Sequence, residues 1–261
     1  MKAIVHGYLP MEERILFQNK ACMVTNKLPG ESSEFPEAGA GNGEEKFPAP
    51  VHRLDVPVSG CLLLAKTPEA SAFLGEAFAK PAAGNGPERT RNQEPKAARL
   101  RIEKRYWAII EKSPAAAALP PEGELVHWLY TDMKTNKSFA VPANDKTGRA
   151  IPQPRRGKVK PKKAVLRYRL TGQGEHYFFL EIDLVTGRHH QIRAQLAALD
   201  LHIKGDLKYG AKRSEKGGGI KLHAYSLAFP NPLDQNEIIC VEALPPAMDS
   251  LWTAFAEAAG L

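Results

Sequence analysis

The type of its apolar segments restricts the fold of this chain most. Segments with the pattern of a β-strand outnumber those with the pattern of a helix. Residues 177–185 alternate between apolar and polar side chains, which is the two-residue period of a half-buried strand. Other strands are predicted at residues 15–27 (two strands around a turn at 18–20), 61–66, 102–111, 222–229 and 237–241. There is no regular β-α-β alternation and no internal repeat. This pattern predicts an α+β fold with a mixed, largely antiparallel sheet.

Three segments have the period of a helix. The first begins at Pro68, after Thr67 as its N-cap. The second covers residues 189–199, and the last begins at Pro246. The chain therefore has few helices to cover a large sheet.

Long polar stretches separate these elements. Residues 80–101 lack any period and are predicted to be a surface insertion. A second polar stretch follows residue 111 and ends in a predicted basic loop at residues 144–163. The cations of this basic loop are Arg155, Arg156, Lys158, Lys160, Lys162 and Lys163. A solvated loop and a surface that contacts RNA phosphates explain them equally well.

Charge and composition limit the partners and the compartment. The 36 Lys and Arg residues exceed the 29 Asp and Glu residues, so the net charge of +7 suits a polyanionic partner. The three cysteines are scattered, which argues against a disulfide framework or a zinc ribbon. The sequence has no signal-peptide pattern and no apolar run of membrane-spanning length, so a cytoplasmic protein is expected.

The segment VHRLDVPVSG contains the first candidate for chemistry. In an extended chain Arg53 and Asp55 point to one side, and His52 to the other. Val56 precedes a proline and is therefore held extended, which fixes the backbone just after the carboxylate. The segment can present one ionised acid rigidly, although a surface ion pair of little energetic value has the same pattern.

The segment VTGRHHQIRAQL contains two arginines that can accompany such an acid. Arg188 follows the turn glycine, and Arg193 lies on the predicted helix but off its apolar stripe. An arginine beside a reactive carboxylate keeps that carboxylate ionised. The histidines His189 and His190, with His202 and Asp206, also raise the question of a metal site. Adjacent histidines of a helix point apart, however, and no metal-ligand spacing accompanies them. No metal is expected.

Three further short motifs occur downstream of Asp55. Tyr106 lies in EKRYWAII, where it shares a strand face with Lys104. The segment GDLKYG at residues 205–210 has the composition of a turn. Leu222 lies in KLHA, which opens a strand. Each motif alone has an ordinary structural explanation, such as a packed tyrosine with a satisfied hydroxyl.

Taken in order, the blocks HRLDxxxSG, KxYWA, TGRxHQIR, GDxxYG and LHA resemble the RluA-type family of pseudouridine synthases. The upstream ILFxNKxxMVTNKLPG resembles the opening strands of that family, so the resemblance covers residues 15–241. It implies a single catalytic domain over residues 1–261, with a curved mixed sheet flanked by helices and loops. Only about 14 residues precede the first strand, too few for the S4 domain of many relatives, so none is expected.

The resemblance implies a role for each matching residue. Asp55 matches the catalytic aspartate, and Arg193 the arginine that pairs with it. Tyr106 matches the tyrosine that lies against the target nucleotide, and Leu222 the apolar residue that packs on the uracil. Arg53 matches an arginine that helps to hold the flipped-out site. The remaining residues expected to bind substrate are His52, Lys104 and Arg188.

Three positions depart from the family pattern. Val58 and His189 each replace a threonine, and Leu28 interrupts the usual Lys-Pro pair. None of these changes removes a group that the reaction requires. They bear on the choice of substrate rather than on activity.

The implied activity is the isomerisation of uridine to pseudouridine in ribosomal or transfer RNA by a flipped-base mechanism without cofactor or metal. A monomer without an obligate protein partner is expected. Two other hypotheses come from different classes. One is a catalytically silent RNA-binding or ribosome-assembly protein on the same fold, and the other is a metal-dependent nucleic-acid hydrolase that uses the histidines.

Overall fold

The computed structural model describes residues 11–34, 48–79, 101–142, 160–215 and 218–261. Within these ranges eleven strands form one mixed sheet, accompanied by four α-helices and two 3-10 turns. None of the helices in these ranges is long and apolar enough to span a lipid bilayer.

The strands are β1 (Ile15–Gln18), β2 (Cys22–Lys27), β3 (Ala49–Pro50), β4 (Ser59–Ala65), β5 (Glu103–Glu111), β6 (Glu122–Asp132), β7 (Lys137–Pro142), β8 (Lys162–Gln173), β9 (Tyr177–Leu184), β10 (Leu222–Asn231) and β11 (Asp234–Glu242). The helices are α1 (Pro68–Ala79), α2 (Pro114–Ala117), α3 (Gln191–Ala197) and α4 (Ser250–Ala259). The 3-10 turns are Met11–Arg14 and Leu207–Tyr209.

The strand order is β1-β2-β4-β10-β5-β9-β8-β6-β7, with β3 on β4 and β11 on β10. Among the described strands only β4 and β10 pair in parallel, and the other pairs are antiparallel. The expected α+β fold with a mixed, largely antiparallel sheet is therefore confirmed.

Strand β5 shows how the sheet divides the core, because its side chains alternate between two apolar layers. Tyr106 and Ile110 belong to the layer that includes the floor of a large cleft. Trp107 faces the other way and stacks on Tyr225 and Phe255, at centroid distances of 4.1 and 4.6 Å. The predicted face of β5 is thus correct, and α4 covers the side away from the cleft.

The prediction of a polar stretch between residues 112 and 163 was wrong in part. It missed the hairpin β6–β7, and it assigned to a loop Lys162 and Lys163, which begin β8. The hairpin lies at one end of the sheet, where polar side chains interrupt the alternation on which the prediction relied. Residues 143–159, which include most of the predicted basic loop, lie outside the described part of the chain.

Two predicted helices are shorter than expected. Helix α3 covers Gln191–Ala197, because His190 has a left-handed φ of 51° and ends the preceding turn. Helix α4 begins at Ser250, where the side chain of Asp249 caps the N–H groups of Leu251 and Trp252.

The parallel contact between β4 and β10 depends on Gly60. Its φ is +118°, and a Cβ atom built there would lie 2.3 Å from the carbonyl oxygen of Ala224. Because both the backbone conformation and the space exclude a side chain, we expect Gly60→Ala to lower the free energy of unfolding by at least about 3 kcal/mol. Urea unfolding measures this change.

Gly75 provides the matched control for this substitution. It lies in α1 with an exposed position and nothing within 4 Å of the added Cβ. Gly75→Ala should raise the free energy of unfolding by up to about 1 kcal/mol, because alanine favours the helix. Equal effects of the two substitutions would contradict this account of the β4–β10 contact.

Candidate active site

A cleft of about 920 Å³ opens between the segment that precedes β4, strand β5, the turn after β9 and the tip of the β6–β7 hairpin. Its volume is large enough for a nucleotide and parts of its neighbours. All eight non-phosphate candidates from the sequence line this cleft: His52, Arg53, Asp55, Lys104, Tyr106, Arg188, Arg193 and Leu222.

The backbone around Asp55 is fixed by side chains from an earlier segment. The Ser33 hydroxyl accepts a hydrogen bond from the Leu54 N–H and donates one to the Leu54 carbonyl, both at 2.9 Å. The buried Lys27 ammonium donates to the Val56 carbonyl at 3.2 Å. Asp55 therefore lies between two anchored residues, which limits the motion of its carboxylate.

Arg193 joins two carboxylates that are distant in sequence. Its Nε and Nη2 donate to the two oxygens of Asp206 at 2.7 and 2.8 Å, and its Nη1 donates to Asp55 Oδ2 at 3.0 Å. Burial alone would lower the pKa of Arg193, but the hydrogen bonds and charges of Asp206 and then Asp55 raise it. The arginine is thus a permanent cation held by a bidentate contact.

The three charged side chains differ in their exposure. Those of Asp206 and Arg193 are only 1% and 4% exposed, whereas that of Asp55 is 22% exposed. Among the described residues, no hydrogen bond reaches Asp55 Oδ1. Both carboxylate oxygens of Asp206 bind Arg193. Of the two carboxylates, Asp55 is therefore the one that a bound molecule can reach.

The sequence placed Arg193 off the apolar stripe of α3, but it is buried because two carboxylates neutralise its charge. Asp206 was missed as a partner, since GDLKYG was interpreted as a turn. One signal in the sequence could have identified it. Asp206 is an acidic residue between two glycines, in the segment that follows the predicted helix with Arg193.

Tyr209 supports this arrangement from the other side. Its ring lies 4.8 Å from Arg193 Cζ, a distance suited to a cation–π contact. Its hydroxyl accepts from the Ser138 N–H at 2.9 Å, donates to the Ser138 carbonyl at 3.1 Å and lies 2.9 Å from His190 Nδ1. The tip of the β6–β7 hairpin is thereby tied to the arginine.

The sequence suggested that His189 and His190 point apart, and this prediction was wrong. The left-handed backbone of His190 brings its ring onto that of His189, with centroids 3.8 Å apart. Burial, with Arg193 nearby, lowers the pKa of His190 to about 3, so the ring is neutral at physiological pH. Its Nε2 lies 3.7 Å from Asp55 Oδ2. Because the ring is neutral, it does not compensate the negative charge of the carboxylate.

The floor of the cleft beside Asp55 is aromatic and apolar. Leu222 is 3% exposed and Tyr106 is 7% exposed, and both line the cleft. Burial, assisted by the negative charge of Asp55, raises the pKa of the Tyr106 phenol. The phenol is therefore neutral and can donate a hydrogen bond or stack on a base.

Cations line another part of the cleft. Lys104 is half-buried, and burial together with Arg188 lowers the pKa of its ammonium to about 8. Arg188 is exposed and donates from Nε to the Lys163 carbonyl at 3.3 Å. Arg53 has a side chain that is 76% exposed and pairs with Glu34 at 2.9 Å. These three groups give this part of the cleft a positive charge.

His52 lines the cleft but is already engaged. Its Nε2 accepts a hydrogen bond from the Leu63 N–H at 3.1 Å, and its ring stacks on Phe78 at 4.7 Å. Burial, with the charge of Lys104, lowers the pKa of His52 to about 3. The ring therefore attaches the Asp55 segment to β4.

The candidate phosphate contacts are described only in part. Arg155, Arg156 and Lys158 lie outside the described residues. Lys160, Lys162 and Lys163 are exposed, near or at the start of β8.

The described residues contain no group of three or more His, Cys, Asp or Glu side chains arranged to hold a metal ion. The histidines of the metal hypothesis have other partners. His189 Nδ1 lies 3.0 Å from Ser138 Oγ, and His202 lies within hydrogen-bonding distance of Asp200 and the Tyr209 carbonyl. The arrangement thus gives no support to a metal-dependent hydrolase.

Comparison with solved structures identifies the class of the fold. The human RNA pseudouridylate synthase domain containing 4 superimposes with a TM-score of 0.60 at 19% identity, covering 95% of this chain and 93% of that chain. The human RNA pseudouridylate synthase domain containing 1 gives a TM-score of 0.58 at 17% identity, covering 95% and 94%. The fold is that of a pseudouridine synthase domain.

Comparison of sequences then identifies the family. The RNA pseudouridylate synthase family matches residues 15–198. An uncharacterised RNA pseudouridine synthase of Zymomonas mobilis is 28% identical over 252 residues, covering 92% of this chain and 98% of the relative. The tRNA pseudouridine synthase C of Vibrio parahaemolyticus is 23% identical, covering 94% and 96%. The ribosomal large subunit pseudouridine synthase D of Zymomonas mobilis is 25% identical, covering 94% and 72%.

Because the family match spans more than half of the chain, the chain belongs to the RluA-type RNA pseudouridine synthases, which are isomerases that act on RNA. The resemblance drawn from the ordered motifs is confirmed.

Proposed function

We propose that this chain converts specific uridines of structured ribosomal or transfer RNA to pseudouridine, with Asp55 as the catalytic group and without cofactor or metal. One observation carries the proposal. Asp55 is the accessible carboxylate of a buried Asp55–Arg193–Asp206 array, and it lies beside an apolar floor inside a nucleotide-sized cleft. A single ionised acid in such a place suits chemistry at a sugar carbon.

The reaction moves one bond and has no net redox change. The bond from N1 of the base to C1′ of the ribose breaks, and a bond from C5 to C1′ forms. C5 loses its proton and N1 ends with one, so atoms and electrons balance within the nucleotide. The ribose gains cationic character as the first bond breaks, and a fixed carboxylate stabilises that charge.

Two routes are open to the Asp55 carboxylate. It can attack C1′ to form a covalent intermediate, or it can assist the loss of a proton from C2′. In either route Arg193 holds Oδ2 in place and leaves Oδ1 to face the ribose. Arg193 thus orients Asp55 for the reaction.

The floor of the cleft is the proposed site of the flipped base. Tyr106 stacks on the uracil or donates to it, while Leu222 packs against its other side. Moving the uridine out of its stack costs a few kcal/mol, which contacts with this floor and with the phosphates offset. RNA loops and bulges are the favoured targets, because their bases unstack at the lowest cost.

The proposed phosphate contacts are the cations of the cleft and of the start of β8. Arg53, Lys104 and Arg188 lie closest to the target nucleotide, and Lys160, Lys162 and Lys163 extend the positive surface. Arg155, Arg156 and Lys158 remain part of the proposal as a sequence-based expectation. The chain is proposed to act as a monomeric, single catalytic domain.

The lowered pKa of Lys104 gives a testable pH dependence. The ammonium is charged below its pKa of about 8 and neutral above it, so its attraction for a phosphate is present below pH 8 and lost above. We expect kcat/KM for RNA to fall as the pH rises through about 8. Lys104→Arg should remove this fall, because arginine stays charged.

Lys104→Arg also separates Lys104 from the other groups that titrate nearby. Burial lowers the pKa of Lys27 to about 8 as well, but Lys27 is unchanged in the variant. Arg188 and His52 lie close enough to interact electrostatically with Lys104, and the pKa of His52 is lowered to about 3, far from pH 8. An alkaline fall that persists in Lys104→Arg would assign it to a group other than Lys104.

The proposed function is tested with the purified protein and total RNA from cells that lack the gene. The two are incubated with a metal chelator and no added cofactor, and pseudouridine is then quantified by mass spectrometry of the RNA digest. We expect pseudouridine to form at one or a few sites. If no pseudouridine forms with or without added divalent ions, the proposal is wrong.

A further inference from the structure

The turn between β6 and β7 presents an exposed methionine to the cleft. Met133 is 66% exposed, and it lines the cleft together with Thr131 and Asn136. A large apolar side chain with this exposure gains nothing from burial in the free protein. Its position at the border of the site places an apolar group where a ligand enters the cleft.

The turn is held in a fixed position relative to Asp55. The Asp132 carboxylate accepts from the Lys134 N–H and the Thr135 hydroxyl, both at 3.1 Å, which closes the turn. Lys208 Nζ donates to the Asn136 carbonyl at 2.6 Å. Farther along β7, Ser138 hydrogen-bonds to the Tyr209 hydroxyl, and the Tyr209 ring contacts Arg193. The turn is therefore connected to Arg193 through Tyr209.

The surroundings of Met133 are basic. Lys134 and Lys208 are exposed, and Lys137 extends over the ring of Tyr209 at 4.9 Å. The nearest carboxylate in the turn, that of Asp132, is already occupied by the two contacts that close it. An apolar tip among cations suits a partner that combines phosphates with aromatic faces, which is the chemistry of RNA.

We propose that the β6–β7 turn is an RNA-contact element in which Met133 packs on the base that is left unstacked when the target uridine flips out. This inference rests on the proposed function and adds a residue that makes flipping favourable. Methionine suits the role, because its flexible thioether adapts to different aromatic faces. Apolar side chains inserted at base steps serve the same purpose in other nucleic-acid complexes. Lys134 and Lys137 bind the flanking phosphates.

The test uses two RNA substrates that differ only in the position opposite the target uridine. One is a stem-loop of about 20 nucleotides around the uridine identified by the assay on total RNA, with that uridine paired. The other has an abasic position opposite the uridine, so the uridine is already released from its base pair. We expect Met133→Ala to lower kcat/KM on the paired substrate by about tenfold or more, and by much less on the released one. Met133→Leu should retain most of the activity.

Leu233 is the matched control. It is 59% exposed at the turn between β10 and β11, away from the cleft, so Leu233→Ala should change neither substrate. Lys134→Gln should weaken binding of both substrates equally and flatten the salt dependence. Equal loss on both substrates in Met133→Ala, or no loss on either, would overturn the inference while leaving the proposed function intact. Failure of the wild-type protein to convert any uridine would overturn both.

Discussion

Asp55→Asn should reduce pseudouridine formation by at least about ten thousandfold, since loss of a group that acts directly on the reacting atoms has effects of this size. The asparagine keeps the shape of the side chain but has no negative charge with which to stabilise or attack the ribose. Arg193 retains both bonds to Asp206, so the protein should fold normally. The measurement is the single-turnover rate with excess enzyme, together with the affinity for the same RNA.

Asp183→Asn is the control for this substitution. Asp183 is also an aspartate paired with an arginine, Arg105, at 3.1 Å, but it lies outside the cleft. Its replacement should change the rate by less than about twofold, because exposed ion pairs contribute little. An Asp55→Asn protein that binds RNA normally and retains more than about a tenth of the wild-type rate would exclude Asp55 as the catalytic group.

Arg193→Met should impair both activity and stability. Removing the guanidinium leaves Asp206 as a buried carboxylate without its cation, so the free energy of unfolding should fall by about 3–5 kcal/mol. The rate should fall at least about a hundredfold, because Asp55 loses the donor that orients it. Urea unfolding and single-turnover assays measure the two effects separately.

The double substitution Arg193→Met with Asp206→Asn separates orientation from stability. Asparagine removes the uncompensated charge, so the double variant should recover most of the lost free energy of unfolding. The rate should stay low, since the hydrogen bond to Asp55 comes from Arg193 Nη1 and methionine has no donor to replace it. Recovery of both stability and rate would show that Arg193 acts on the fold alone, and not on Asp55.

Much of the sheet could be predicted, because its central strands are buried and have clear periods. Residues 177–185 alternate, and 61–66 form a short apolar run before a helix signal, which identifies both as strands. The hairpin β6–β7 could not be predicted in this way. It lies at the edge of the sheet, where side chains such as His127 and Thr131 carry no regular alternation. Its role in the site depends on contacts that span about 70 residues, such as Ser138 with Tyr209.

The sequence predicted which residues line the candidate site, but not the contacts that these residues make with one another. Asp55, Tyr106 and Arg193 lie in motifs whose order points to the family, and all three line one cleft. The role of Asp206 was hidden, because a buried arginine with two acidic partners is a property of the fold rather than of any short segment. The stacking of His189 on its neighbour was also hidden, since it depends on one left-handed residue that helix periodicity does not reveal.

The most direct test of the account is a map of pseudouridine sites in cells that lack the gene, complemented with the wild-type chain or with Asp55→Asn at equal abundance. The account predicts that one or a few sites in ribosomal or transfer RNA vanish without the gene, return with the wild type and stay absent with Asp55→Asn. Unchanged sites in the absence of the gene, or equal restoration by the two chains, would contradict it.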